Sequence, residues 1–307
     1  MGRNNRFGRD VHGVLLLDKP QGITSNDVLQ KVKRIFNAKK AGHTGSLDKP
    51  ATGLLPLCFG EATKFTTYLL NADKLYMAKC KLGVTTTTGD QAGDVTAQLD
   101  VPRLSHRKLQ SVIDSFRGDI QQVPPMYSAI KQNGQRLYEL AYQGKEVERP
   151  ARAVTIYDIE LVSFNEDEFE INVHCSKGTY IRTLVEDIGN KIGCGAHITR
   201  LYRNGVSKFT SDQMVSMETI LERANHGNEA LDDLLLPIDS IIGDMPQVTL
   251  NGAITRYIEN GQPVMVPQAP TEGYLRIYNE NHDFIGIGEV LDDGRVAPKR
   301  LVNLPSA

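Results

Sequence analysis

Between Asp27 and Glu61 the chain has a single acid, Asp48, in the segment Gly42-His43-Thr44-Gly45-Ser46-Leu47-Asp48. A Gly- and Pro-rich stretch is where a shaped backbone can present a carboxylate to a ligand, as nucleophile or as base. The same residue is equally suited to close an Asx turn or cap a helix, and its spacing leaves both uses open. Arg182 is the second charged residue of interest, because the apolar spacing around it puts it in the first turn of a helix. A cation there opposes the helix dipole by a few tenths to about 1 kcal/mol unless an anion compensates. Glu186, one helical turn on, would make an ordinary surface pair of about 0.3–0.5 kcal/mol. Asp48 as partner would instead be held ionised and oriented by a guanidinium that never loses its charge. The sequence leaves both partners open.

Other chemistries find less support. Cys194-x-x-His197 has an acceptable metal-ligand spacing, but His174 and Cys175 are adjacent on a strand and point to opposite faces, so no zinc site is expected. There is no Gly-Lys-Ser/Thr phosphate loop and no Gly-x-Ser-x-Gly elbow, which leaves NTPase and α/β-hydrolase readings without a basis. A metal nuclease needs clustered carboxylates, and Asp48 is isolated.

The elements that must position these residues are partly readable. Val14-Leu15-Leu16-Leu17 reads as a short buried strand, and Lys19-Pro20-Gln21-Gly22 as a type I turn. Thr24 or Ser25 caps a helix with Val28, Leu29, Val32, Ile35 and Phe36 on one face and Lys31, Lys33 and Arg34 outward. Residues 42–60, with four glycines and two prolines, read as a loop. Alternation from Tyr76 to Leu82 marks a half-buried strand, and Leu109, Val112, Ile113 and Phe116 a helix. Residues 124–152, rich in Tyr, Lys and Arg, suit either a surface helical hairpin or an arm over a bound ligand. Phe169, Ile171 and Val173 form a strand, and Ile181 to Ile192 a helix that Gly193 ends. From about residue 246 short strands alternate with Asn/Asp/Gly turns, as in Asp292-Asp293-Gly294. Strands and helices intermix without a βαβ repeat, so the expected class is α+β: a catalytic domain over 1–245 and a small β-rich domain over 246–307.

The 307 residues carry 40% apolar and 23% charged residues, with no stretch near the roughly 20 apolar residues of a membrane span. The basic N-terminus lacks the apolar region of a secretory signal, and the four cysteines are scattered, so a cytoplasmic protein with reduced thiols is expected. Net charge is −2, yet residues 1–49 carry ten Lys/Arg against four Asp, net +6, leaving −8 for the rest. Such asymmetry fits a patch for a polyanion as well as a solvated basic face.

With these residues in view, Gly42 to Asp48 followed by Ala51-Thr52-Gly53 closely resembles the catalytic loop of the bacterial tRNA pseudouridine synthase B family. Gly13 to Pro20 with Gly22, Gly60 to Lys64, Lys74-Leu75-Tyr76, Pro125 to Ala129 and Cys175 to Thr183 resemble further family motifs, in order. The resemblance implies a mixed-sheet catalytic domain with a PUA-like C-terminal domain, and isomerisation of uridine 55 in the T-arm loop of tRNA to pseudouridine, without cofactor, metal or energy source. It implies that Asp48 is the essential carboxylate and Arg182 its partner. Tyr76 would stack on the flipped uracil and assist proton removal from C5. Tyr180 and Leu201 would wall the pocket, Lys19 would belong to the substrate site, and His43 would fill the space vacated in the RNA loop. Residues 124–152 correspond to an RNA-clasping insertion. The implied partner is tRNA through its T-arm stem-loop, with no membrane, no obligate protein partner and a monomeric state. A tRNA-binding and folding protein with reduced or lost catalysis is the alternative, motivated by two departures. Family members have Pro directly after the catalytic Asp, where this chain has Lys49 and then Pro50; they carry Leu-Arg-Arg where it has Leu201-Tyr202-Arg203, and Asn204 is likewise atypical.

Overall fold

Val14-Leu15-Leu16-Leu17 shows no polar alternation because its strand is covered on both faces. In a computed structural model that describes residues 8–132 and 134–304, this strand is β1 (Gly13–Lys19). Val14 and Leu16 pack with Leu54 and Phe65, while Leu15 and Leu17 pack with Val28, Val32, Leu55 and Leu57. Helix α1 (Ser25–Ile35) follows, capped by Thr24, whose hydroxyl accepts from the Asp27 N–H at 3.1 Å; Lys31 and Arg34 face outward. Arg3 and Arg6 of the basic N-terminal stretch lie outside the described residues.

The segment expected as loop over 42–60 is loop only in its middle. It is flanked by β2 (Ala41–His43) and β3 (Thr52–Phe59). β3 was hidden by its composition: Leu54 to Phe59 are all buried, so no alternation shows. Its Pro56 falls between the stretch paired with β2, which ends at Leu57, and Thr52–Gly53, which pair with another strand, so a missing N–H breaks no ladder there.

After a 3-10 turn (Gly60–Phe65) come α2 (Thr66–Asn71), β4 (Lys74–Leu82) and a hairpin of β5 (Val84–Thr86) and β6 (Val95–Gln98). Next are α3 (His106–Asp114) and β7 (Gly118–Gln122). The stretch 124–152 is not a helical hairpin. It holds a two-residue strand pair, β8 (Lys131–Gln132) with β9 (Gln135–Arg136), and one short helix, α4 (Leu137–Tyr142). Tyr142, 78% exposed, meets the rings of Tyr127 and Tyr138 edge-on at 5.7 and 6.2 Å. β10 (Arg152–Asn165), β11 (Glu168–Cys175), α5 (Ile181–Ile192), β12 (Ala196–Val206) and β13 (Phe209–Thr210) complete the large sheet, with α5 ended by left-handed Gly193.

The large sheet runs β1-β3-β12-β4-β11-β10-β7, with β2 on β3 and β13 on β12. Only β3 and β12 pair in parallel. Helices α3 and α5 cover β4, β10, β11 and β12 through Leu109, Ile113, Leu184 and Ile188. α6 (Met217–Asn225) and α7 (Asn228–Asp232) close the α1 side through Ile220 and Leu231.

A second sheet has its own core around Val248, Ile258, Leu275 and Ile277. It is built from β14 (Gln247–Thr249), α8 (Gly252–Glu259), β15 (Val264–Met265), β16 (Tyr274–Tyr278), β17 (Phe284–Val290) and β18 (Arg295–Leu301). The class is α+β with a mixed large sheet and a β-rich C-terminal unit. Among the described residues no helix is long and apolar enough to cross a membrane.

Candidate active site

Asp48 sits in the loop between β2 and β3, and side chains from three other elements hold that loop's backbone. Ser25, at the start of α1, accepts the Leu47 N–H at 2.8 Å and donates to the Leu47 carbonyl at 3.0 Å. Leu47 itself is buried in the α1 core and acts as a plug beside the carboxylate. Arg203 of β12, 1% exposed, donates to the Gly45 carbonyl at 3.1 Å and the Leu54 carbonyl at 2.8 Å. Gly53 permits this approach: its φ is +98°, and a Cβ there would lie 2.3 Å from the Arg203 carbonyl oxygen. A loop ordered in advance loses little further freedom when a substrate arrives.

Lys19, expected at the substrate, is instead fully buried at the end of β1. Its ammonium donates to the carbonyls of Ala51 at 2.7 Å, Pro20 at 3.1 Å and Lys49 at 3.4 Å, so it shapes the backbone that follows Asp48. Burial pushes its pKa down to about 8, with Asp48 acting to raise it and Arg203 to lower it. A lysine held by carbonyls inside the fold has no donor left over for RNA.

The turn Asp48–Ala51 is closed by the Ala51 N–H donating to the Asp48 carbonyl at 3.1 Å, and the Lys49 carbonyl also accepts from the Gly22 N–H at 2.9 Å. Lys49 and Pro50 are its central residues. Proline in the second place pre-organises such a turn, whereas in the third it restricts the residue before it. The bonds from Lys19 and Gly22 to the Lys49 carbonyl fix the turn in place. The Lys49 side chain is exposed, and the charges acting on Asp48 are those of Arg182, Asp90 and Lys19, so Lys49 does not compete for the carboxylate. Lys49→Pro combined with Pro50→Leu exchanges one proline for another, so the freedom of the unfolded chain is unchanged on balance and the thermal midpoint is expected to stay within about 2 °C of wild type. Turnover should change by less than about threefold if the Lys19 and Gly22 bonds already fix the turn; a tenfold fall would show that the shifted proline is matched to this pocket.

Arg182, at the start of α5 and 5% exposed, spends its whole guanidinium on the site. Nε lies 2.9 Å from Asp48 Oδ2, Nη1 donates to the Thr88 carbonyl at 2.7 Å, and Nη2 donates to the Tyr127 carbonyl at 2.8 Å. The ion partner is therefore Asp48 and not Glu186. One cation ties together the carboxylate, the β5–β6 hairpin and the insertion. Enclosure by protein raises the Asp48 pKa above the usual carboxylate range; Arg182 opposes that rise, Asp90 adds to it and Lys19 opposes it. The side chain stays 42% exposed, so it is enclosed at the floor of a cleft and still reachable.

Tyr76 on β4 and Leu201 on the neighbouring β12 are half-buried and pack against the cores on both sides of the sheet junction. Burial raises the Tyr76 phenol, and Arg203, its cross-strand partner, acts to lower it. Tyr180 immediately precedes α5. Its N–H and carbonyl are both bonded by the Gln122 amide, at 3.0 and 3.3 Å, and burial raises its phenol too. Asp48 acts electrostatically on both phenols, so both lie near the carboxylate. His43, on β2, is half-buried with its Nδ1 enclosed and unpartnered, and burial followed by Arg203 lowers its pKa. Asn204 Oδ1 is likewise enclosed without a partner. A pocket of about 10 Å³ against Asp48, lined by Asp90, Arg182 and Leu201, has room for about one water.

In the sequence Ser25 figured only as a possible helix cap and Arg203 only within Leu201-Tyr202-Arg203, while Asp90 and Gln122 did not figure. Ser25, Gln122 and Arg203 act on backbone carbonyls and N–H groups, which carry no motif of their own. Cys175 is buried with its thiol toward the Lys74 carbonyl, and His197 Nδ1 is 2.9 Å from the Val84 carbonyl. Among the described residues no three His, Cys, Asp or Glu side chains converge on a metal position. What the cleft offers is an oriented carboxylate next to aromatic and aliphatic walls.

Known proteins with similar sequences bear on what this arrangement does. The model for the N-terminal domain of the TruB family of pseudouridylate synthases matches residues 33–181, and two models for tRNA pseudouridine synthase B C-terminal regions match residues 182–243 and 246–302. The chain is 51% identical over 313 residues to the tRNA pseudouridine synthase B of Tolumonas auensis, covering 99% of this chain and 96% of the relative. It is 52% identical over 311 residues to that of Aeromonas salmonicida, covering 98% and 97%. Among solved structures, a chain of an H/ACA RNP bound to a substrate RNA containing 2′-deoxyuridine shares the fold, with a TM-score of 0.73 and 21% identity over 99% of this chain and 92% of that one. A chain of a Cbf5-Nop10-Gar1 complex has a TM-score of 0.72 at 24% identity, over 94% and 84%.

Proposed function

The chain belongs to the TruB family of pseudouridylate synthases and makes pseudouridine in tRNA; from that premise we propose that its target is uridine 55 in the T-arm loop, reached by base flipping, with Asp48 as the essential carboxylate. The observation that carries the reading is the 2.9 Å pair between Arg182 and a carboxylate that remains open to a cleft. The bond from N1 to C1′ breaks, uracil turns, and C5 bonds to C1′; C5 then loses its proton and N1 gains one, so the net change is an isomerisation. Asp48 serves either as nucleophile at C1′ or as base toward the 2′ position.

A target inside a folded loop must leave its stack, and the unstacking cost of a few kcal/mol is offset by new contacts. Tyr76 stacks on the uracil and, once ionised to the phenolate, accepts the C5 proton, an ionisation that burial opposes and Arg203 favours. Tyr180 and Leu201 form the walls, and His43 occupies the space vacated in the RNA loop. The insertion, anchored to Arg182 through the Tyr127 carbonyl, lies over the RNA, and Lys31 and Arg34 of α1 face phosphates.

The test uses tRNA labelled with tritium at uracil C5. Purified protein is expected to release one equivalent of tritium per tRNA to water, and none from a tRNA in which position 55 is cytidine. No release with excess enzyme would end the catalytic reading; full release from the position-55 variant would end the assignment of the target.

A further inference from the structure

A cleft of about 600 Å³ lies between α2 and the second sheet, and none of its lining residues belongs to the Asp48 site. Two tyrosines open onto it from opposite sides: Tyr68 of α2 is 37% exposed and Tyr274 of β16 is 41% exposed. Three cations line it, Lys64, Lys299 and Arg300, against one acid, Asp244. Lys299 stands 5.6 Å over the Tyr274 ring and pairs with Glu289 at 2.7 Å, and Lys64 is engaged by Glu61 and the Leu301 carbonyl. Arg300 is exposed, enters no ion pair among the described residues, and lies close enough for its charge to bear on the Tyr68 phenol.

The lining is chemically specific. Two part-exposed phenol rings, one already carrying Lys299 over it, beside a guanidinium outside any ion pair among the described residues suit a ligand that brings both a flat ring and a negative charge. A simple anion would make no use of the tyrosines, and an apolar ligand none of the cations. The basic rim continues from this cleft toward the catalytic one: Asn71, which lines it, accepts from Lys177 at 3.0 Å, and exposed Lys177 stands three residues before Tyr180. Stacking on aromatic side chains together with backbone neutralisation is how proteins hold unpaired nucleotides without reading their sequence.

We propose that the cleft between α2 and the second sheet is a separate RNA site, taking an unpaired nucleotide and its flanking phosphates from a part of the tRNA outside the T-arm hairpin. The proposal rests on tRNA being the substrate and deepens that reading by giving the C-terminal unit a defined contact. The catalytic cleft engages the hairpin, and this one adds affinity that only the whole tRNA can collect.

The experiment compares binding of full-length tRNA with binding of the isolated T-arm hairpin at fixed salt. Tyr68→Ala and Tyr274→Ala are each expected to weaken full-length tRNA about tenfold and leave the hairpin unchanged. Tyr68→Phe and Tyr274→Phe, which keep the ring, should restore binding. Arg300→Gln should flatten the dependence of log affinity on log salt by about one unit for full-length tRNA only. Turnover of saturating hairpin should stay at the wild-type rate in all variants, which checks that the fold is intact. Equal losses for both RNAs, or none for either, would overturn the proposal. If wild-type protein released no tritium from either RNA, the catalytic reading would fall while the two affinities still decided the fate of the cleft.

Discussion

Asp48→Asn is expected to abolish tritium release from C5-labelled tRNA, lowering the single-turnover rate by on the order of 10⁴-fold or more, while tRNA affinity stays within about threefold of wild type. The substitution is nearly isosteric. The amide oxygen can still accept from Arg182 Nε, and Arg182 keeps its bonds to the Thr88 and Tyr127 carbonyls. The Leu47 plug and the Ser25 clamp do not involve the side chain that changes. What disappears is the negative charge, and with it both the nucleophile and the base. Because enclosure outweighs Arg182 and holds the Asp48 pKa up, the ionised carboxylate is a net cost to the fold at neutral pH, so its neutral near-isostere should keep or slightly raise stability, visible as a urea midpoint that does not fall. Turnover within tenfold of wild type would remove Asp48 from the mechanism. The same variant separates catalysis from a binding or folding role: if cells carrying it keep the protein's biological function without forming pseudouridine, the role of the chain lies in holding tRNA.

Part of this site was legible before any coordinates. Asp48 stood out because no other acid lies near it, and Arg182 because a cation in a helix's first turn asks for an anion. A cap at Thr24 or Ser25, which the structure resolves to Thr24, and the apolar face of α1 followed from spacing. β3 did not, because a strand buried on both faces shows neither the alternation of a half-exposed strand nor the period of a helix, and its Gly and Pro read as punctuation. Lys19 entered as a substrate-site residue through the family resemblance; its burial depends on three carbonyls converging on one interior point, which no sequence pattern marks. Ser25, Gln122 and Arg203 are the same case seen from the other side: each acts on main-chain atoms whose location is set by the fold. The departure at Lys49-Pro50 was visible in the sequence, whereas the bonds that fix its turn, from Lys19 and Gly22, were not.

Removing the partner charge should have the second-largest effect, with a pH signature. Enclosure already raises the Asp48 pKa, and Arg182 is the main influence against that rise. Arg182→Met therefore moves the carboxyl further upward. A charge-assisted hydrogen bond contributes about 1.5–3 kcal/mol, so the acidic limb of kcat/KM should move up by about one to two pH units. The reaction needs the ionised form under either role for Asp48, so activity is lost as pH falls, and the deficit against wild type must be largest at low pH. Above the displaced limb a plateau should remain about 10²-fold below wild type, because the carboxylate is then charged but no longer aimed. Arg182→Lys separates the two contributions. It keeps a cation beside Asp48, so its limb should stay near the wild-type position. A single ammonium on a shorter reach cannot also hold the Thr88 and Tyr127 carbonyls, so its plateau should fall. If Arg182→Met lowered the plateau and left the limb in place, the guanidinium would be orienting Asp48 without sustaining its charge. The rise imposed by enclosure would then have to be countered by Lys19, the other cation acting on the carboxylate, whose own proton is held less tightly in the same interior.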